Sequence, residues 1–315
     1  MKRTFAIALA LLILLGMCAG CGGESSSSYY VRIGDTEFKT MPKRVITMSA
    51  ALTETVSSLG FANRLVGVCD GVTAPTLASK LPACGTTLVP DTDTILSLAP
   101  DVLFTPVRLP AAATESLNAA GCSIVILPYS DTLEGIYTNW QAAALVLGGN
   151  EWGERIDEQL RYAAQVIKSD LAENVTAGES AAFIMRLPDT TATGGTYLEE
   201  LLGQVGLTNA ASDGTDWVYP ADGKTADADI IFCDDDITLE DLQGSVWQNS
   251  AAVTGGRVVF LDGSALEEQS PRLLFVLQSA VREAYPDVDW QTLDITPEME
   301  IPEKEEKGFF EKLFG

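Results

Sequence analysis

Arg108, Tyr129, Arg186, Trp217 and Tyr219 all stand on loops that follow short apolar runs, and Ser49 stands between such a run and a helical stretch. A guanidinium on a loop can pair with a carboxylate, a phosphate or a catecholate. Aromatic faces beside one or two arginines suit a large, partly apolar ligand with a polar rim. This is a binding set and carries no sign of bond-breaking chemistry. The chain has no histidine, so it offers no imidazole for metal ligation or for acid–base work near neutral pH. Serine–histidine hydrolysis and histidine-ligated haem are excluded with it, whereas tyrosine ligation is not. Among Cys69, Cys84, Cys122 and Cys233 no C-x-x-C pair occurs, which removes the zinc and thioredoxin-like readings for the body of the chain. The glycines of Thr193-Gly194-Gly195-Thr196-Tyr197 are not followed by the Gly-Lys-Ser/Thr of a phosphate loop. No metal site, cofactor or catalytic residue is assigned.

Cys69 and Cys84 lie 15 residues apart across a proline-containing loop. In an exported protein they are candidates for a disulfide pinning that loop, with small buried thiols as the alternative. Cys122 and Cys233 read as buried thiols. A formal net charge of −24 leaves no basic surface for phosphates, which argues against nucleic acid and against close contact with anionic lipid.

The elements that must position these residues begin at 44–48, a buried-strand run, with Ser49 able to cap a helix carrying Leu52, Val56 and Leu59. Gly60 supplies the left-handed helix end, and 65–69 returns as a second strand. This β-α-β unit should cross over right-handed, with parallel strands. Ser49 then opens at the carboxyl edge of the sheet, where α/β domains bind ligands. Strands are expected at 102–105, 122–127, 180–185, 229–233 and 258–262, with helices at 94–98, 111–120, 133–148, 197–205 and 273–284. Between them, 151–171 keeps helical spacing through Trp152, Ile156, Leu160 and Ile167. It would form a rod of roughly 30 Å.

At the start, Lys2 and Arg3, an apolar stretch and Ala19-Gly20-Cys21 form an export signal. GGESSSS after it is a flexible tether, and the end of the chain is an acidic, proline-interrupted tail closing on an aromatic cluster.

Read in order, Arg44-Val45-Ile46 with Met48-Ser49, Thr53-Glu54, Leu59-Gly60 and Leu65-Val66-Gly67-Val68 open a series of landmarks. Asp93 with Ile95-Leu96, Leu98 and Pro100-Asp101-Val102 continues it, followed by Thr193 to Tyr197, Gly206 to Asn209, Ala228 to Phe232, Trp247 to Asp262 and Ser270-Pro271-Arg272. The series resembles the ABC-transporter solute-binding lipoproteins of the vitamin B12 and ferric-siderophore class, over about residues 42–286. The resemblance implies two Rossmann-like α/β lobes joined by a single long helix, with the ligand cleft between the lobes. The organisation it gives is a signal at 1–21, a tether at 22–29, lobes at 30–149 and 174–290, a connecting helix at 150–173 and a tail at 291–315.

The resemblance also implies diacylation at Cys21, with Cys18 where the signal pattern usually has leucine. The chain would then be extracytoplasmic and anchored to the cell membrane through its lipid. Ser49, Arg108, Tyr129, Arg186, Trp217 and Tyr219 become the expected ligand contacts. Asp93, one methylene shorter than the family's glutamate, and Asp222 become the expected contacts with an ABC permease and its ATPase. Glu268 is assigned to the surface, while Arg272 is placed near ligand or the first lobe. The implied activity is capture of a chelated-metal small molecule, a ferric siderophore or a corrinoid ahead of haem, with no chemistry performed on it. An exported enzyme or cofactor-handling protein on the same fold, or a sensor without a permease, stays open as the alternative.

Overall fold

The strands of the first lobe are continuous apolar runs because both faces of their sheet are covered. In the computed structural model, which describes residues 29–73, 75–174, 178–219 and 226–288, β1 (Val31–Ile33) and β2 (Thr36–Phe38) form an antiparallel hairpin ahead of that sheet. The sheet itself holds β3 (Val45–Thr47), β4 (Leu65–Val68), β5 (Val102–Thr105) and β6 (Ser123–Ile126). Its order is β4-β3-β5-β6, and every pairing is parallel. Alternate residues face opposite cores, Val45, Val102 and Phe104 on one side and Ile46 and Leu103 on the other.

The helices α1 (Ala50–Val56), α2 (Thr92–Ser97) and α3 (Ala111–Ala119) connect these strands. Helix α1 runs on into a wider turn, Ser57–Phe61, in which Gly60 takes the expected left-handed conformation at φ 84°.

The second sheet, ordered β11-β10-β7-β8, is built on β7 (Ser180–Arg186), β10 (Ile230–Asp234) and β11 (Val258–Leu261), all parallel. Two short strands not anticipated from the sequence flank β7. These are β8 (Thr190–Thr191), antiparallel, and β9 (Thr208–Asn209), parallel. Its helices are α6 (Tyr197–Gln204), α7 (Leu239–Gln243), α8 (Ala251–Gly255), α9 (Gly263–Glu267) and α10 (Arg272–Ala284).

Between the sheets lie α4 (Leu133–Gly148) and α5 (Asn150–Asn174). The chain turns between them at Gly149, and the two helices pack closely. A Cβ on Gly148 would meet the Trp152 ring at 2.4 Å, and one on Gly153 would meet Leu145 at 2.5 Å. Helix α4 serves both halves. Leu133, Ile136, Tyr137 and Trp140 enter the core of the second lobe, whereas Ala143, Val146 and Leu147 enter that of the first.

The amino edges of both sheets are fastened in the same way. Asp101, just before β5, accepts hydrogen bonds from the amides of Lys43 (2.7 Å) and Arg44 (2.9 Å) at the start of neighbouring β3. Asp229, just before β10, accepts from the Ser180 amide and hydroxyl (both 2.8 Å) at the start of neighbouring β7. These bonds lower the Asp229 carboxyl below its usual range.

The expected disulfide is not formed, since Cys69 and Cys84 are free thiols. Residues 82–85 run parallel beside β4, with Val68 opposite Ala83. Cys84 therefore joins the core that holds Ile46, while Cys69 packs against the core that holds Val45, on the other face of the sheet. Burial pushes both thiols up to about 11.

Candidate functional site

A crevice opens where the carboxyl ends of the first sheet meet the segment after β11. Ser49, Ala51, Leu52 and Thr55 line it from the start of α1; Pro106, Leu127, Pro128 and Tyr129 from the ends of β5 and β6; Asn139 and Trp140 from α4; and Glu268 and Gln269 from the second lobe. Ser49 is there because it caps α1, its Oγ accepting from the Leu52 amide at 3.1 Å. The Tyr129 hydroxyl hydrogen-bonds Ser49, and burial raises its phenol above the ordinary value despite that bond.

The lobes meet through short polar links. Gln269, held at φ 52°, pairs with the Ser130 backbone in both directions, its Oε1 accepting at 2.9 Å and its Nε2 donating at 2.8 Å. Trp140 Nε1 donates to the Gln269 carbonyl at 2.7 Å. Deeper in, the Glu54 side chain on α1 is only 4% exposed. It accepts from Ser270 Oγ at 2.8 Å and from Arg272 Nη1 at 3.3 Å, both in the second lobe. Arg272 also pairs with Asp262. Arg272 thus reaches the first lobe, as expected. The Ser270 hydroxyl is spent on Glu54 as well as on the Arg272 amide (3.3 Å). Position Pro271 directly precedes α10.

Glu268 is not a surface residue. It lines the crevice, one of its carboxyl oxygens, Oε2, is buried without a hydrogen-bond partner, and burial together with the neighbouring Glu54 carboxylate pushes it up to about 7. Its position was missed because the contact with Glu54 joins distant parts of the chain. The sequence signal was the Thr53-Glu54 pair within the opening landmark.

The six expected ligand contacts divide. Ser49 and Tyr129 line the crevice. Arg108 is exposed beyond the Thr105 turn, and Arg186 is exposed and paired with Glu267 at 3.2 Å. Trp217 packs on Tyr197 with ring centroids 5.9 Å apart, and Tyr219 packs on Trp247 at the same separation, each against the second lobe's own cores.

Asp93 is exposed in the first turn of α2, whose cap is Asp91, accepting from the Thr94 amide at 3.0 Å. Asp222 and Cys21 lie outside the described residues, as do the export signal and the acidic tail. Among the described residues one trio of carboxylates, Asp234, Asp235 and Asp236, lies close enough to share a cation. Asp234 Oδ1 already accepts from the Asp236 amide at 2.8 Å, the local turn that such a run makes by itself.

Residues 45–265 match the sequence profile of the family described as "Periplasmic binding protein". The chain belongs to that family. Several known proteins resemble it along nearly their whole length. The "Uncharacterized ABC transporter substrate-binding lipoprotein YvrC" of Bacillus subtilis (strain 168) is 23% identical over 312 residues, covering 91% of this chain and 99% of its own. The periplasmic heme-binding protein RhuT from Roseiflexus sp. RS-1 superposes with a TM-score of 0.62 at 23% identity, covering 78% of this chain and 99% of its own. The periplasmic vitamin B12 binding protein BtuF of Vibrio cholerae superposes with a TM-score of 0.58 at 20% identity, over 79% and 99% respectively. The expected fold of two α/β lobes holds. No helix among the described residues is long and apolar enough to cross a membrane.

Proposed function

We propose that this periplasmic binding protein is the extracytoplasmic solute-binding lipoprotein of an ABC importer. It captures a chelated-metal ligand, a ferric siderophore or a corrinoid ahead of haem, and delivers it to the permease and its ATPase. The observation that carries this reading is the crevice itself. It lies at the carboxyl ends of the first sheet and is closed from the other side by one short segment of the second lobe. Ligand affinity for the closed arrangement over the open one would supply the whole mechanism.

Ser49 and Tyr129 are the ligand contacts in this reading, with Cys21 carrying the lipid. Asp93 docks on the permease. Its surroundings support that role, because Leu88 (79% exposed) and Val89 (76% exposed) project from the loop that leads into α2. A charge beside exposed apolar side chains is the composition of a partner contact.

Titration with cyanocobalamin, ferrioxamine B, a ferric tris-catecholate and haemin, followed by tryptophan fluorescence, tests the proposal. Saturable quenching by at least one of them, weakened in Tyr129→Ala, is expected. No response to any of the four would overturn the reading.

A further inference from the structure

Among the described residues that line the crevice there is no lysine or arginine, and the ionisable ones are Tyr129 and Glu268. Most other polar atoms in the wall are already engaged. Gln269 uses both amide atoms on Ser130, Asn139 Nδ2 donates to the Pro128 carbonyl at 2.6 Å, and Thr55 Oγ1 donates to the Ala51 carbonyl at 2.7 Å. Glu268 differs, because its side-chain hydrogen bond is to another carboxyl, Glu54, and its buried Oε2 has no partner. An acceptor withdrawn from water without a donor is costly, and a donor arriving with the ligand would relieve it.

We propose that Glu268 sets the charge of the ligand: its carboxyl receives a hydrogen-bond donor or a cationic group on the rim of the chelate, and anionic chelates are turned away. This rests on reading the crevice as a chelate site.

The groups around Glu268 reinforce the selection. Glu54 faces it from α1, Asp262 and Arg272 from the second lobe, and Tyr129 and Cys69 from the strand ends of the first. Three carboxyls thus stand against one guanidinium, and that guanidinium is already shared between Glu54 and Asp262. The arginines that would welcome an anion, Arg108 and Arg186, are exposed and not among the lining residues, and Arg186 is held by Glu267. An anion entering the crevice would meet like charge and find no compensating cation, which is how binding sites reject a competitor.

Equilibrium titration of the full chain at pH 8 compares ferrioxamine B, a complex of net positive charge, with a ferric tris-catecholate trianion. The wild type is expected to hold the cationic complex at least tenfold tighter, and Glu268→Gln to narrow that ratio at least tenfold. Lowering the pH to 6 should narrow it in the wild type and leave the variant unchanged. Glu268→Lys should favour the trianion, and a thermal melt of each variant checks that the fold survives. Equal affinity for the two complexes, or an unchanged ratio in Glu268→Gln, overturns the assignment of Glu268 while leaving the chelate site standing. Failure of every complex and of cyanocobalamin to bind removes both.

Discussion

The two sheets are alike at their amino edges and unlike at their carboxyl edges. At the amino edge each uses one aspartate, Asp101 or Asp229, to hold the start of the neighbouring strand. At the carboxyl edge the first lobe presents a broad wall of hydroxyl and apolar side chains gathered from α1, β5, β6 and α4. The second presents a single short stretch, Asp262 to Arg272, carrying most of the charge around the site, to which the first lobe adds Glu54. Repetition at one end marks what the fold requires, and divergence at the other marks what the ligand requires. On the proposed reading the first lobe shapes the crevice, while Glu268 of the second selects what enters it.

The strongest way to break this contrast is to remove the charged tie between the lobes. Arg272→Met would leave Glu54 buried without its cation, and urea unfolding should show a loss of about 3 kcal/mol. A loss near that expected of an exposed pair would mean that the second lobe does not hold the first through this link.

Next in size, Asp101→Ala and Asp229→Ala should each cost about 2 kcal/mol, since each deletes two charge-assisted hydrogen bonds. The comparison predicts equal losses with ligand affinity untouched. Unequal losses would show that the shared device is not equally weighted.

A smaller effect separates the carboxyl edges. Glu268 stays protonated in the fold up to about pH 7, above its ordinary range when unfolded. Its contribution is therefore favourable at low pH and is lost as the pH rises through 4.5 to 7. At pH 8, Glu268→Gln should be more stable than the wild type by about 1 kcal/mol, the shift being discounted for partial exposure. Chemical unfolding across pH 4 to 8 measures this, and parallel curves for the two proteins would contradict it.

The smallest effect is expected at the rim. Arg186→Ala removes an exposed pair with Glu267 and should change stability by less than about 0.5 kcal/mol. It should also leave chelate affinity unchanged, in contrast to Ser49→Ala, and a loss of affinity would return Arg186 to the binding surface.

Most of the fold was legible because parallel strands covered on both faces read as unbroken apolar runs, bounded by caps and glycines. β5 falls at Val102–Thr105 and α4 at Leu133–Gly148, as the pattern indicates. Ser49 and Tyr129 were legible for the same reason, since each lies within three residues of a strand's carboxyl end. The rest of the site depends on contacts that no local pattern carries. Glu54 meets Ser270 across 216 positions and Arg272 across 218. The loop bearing Trp217 folds back onto its own lobe through left-handed residues, Asp216 at φ 53° and Trp217 at φ 63°. Aspartate adopts that conformation readily, but nothing in the type of Trp217 announces such a turn. Cys69 and Cys84 looked like partners because spacing along a chain says nothing about which face of a sheet a thiol occupies.

Helix α4 has a consequence for how the molecule can be divided. A fragment ending after it would carry Leu133, Ile136, Tyr137 and Trp140 bare to water, and the complementary fragment would lack one wall of its interior. Neither half is self-sufficient. When made separately each should aggregate, and when made together they should recombine through that shared spine.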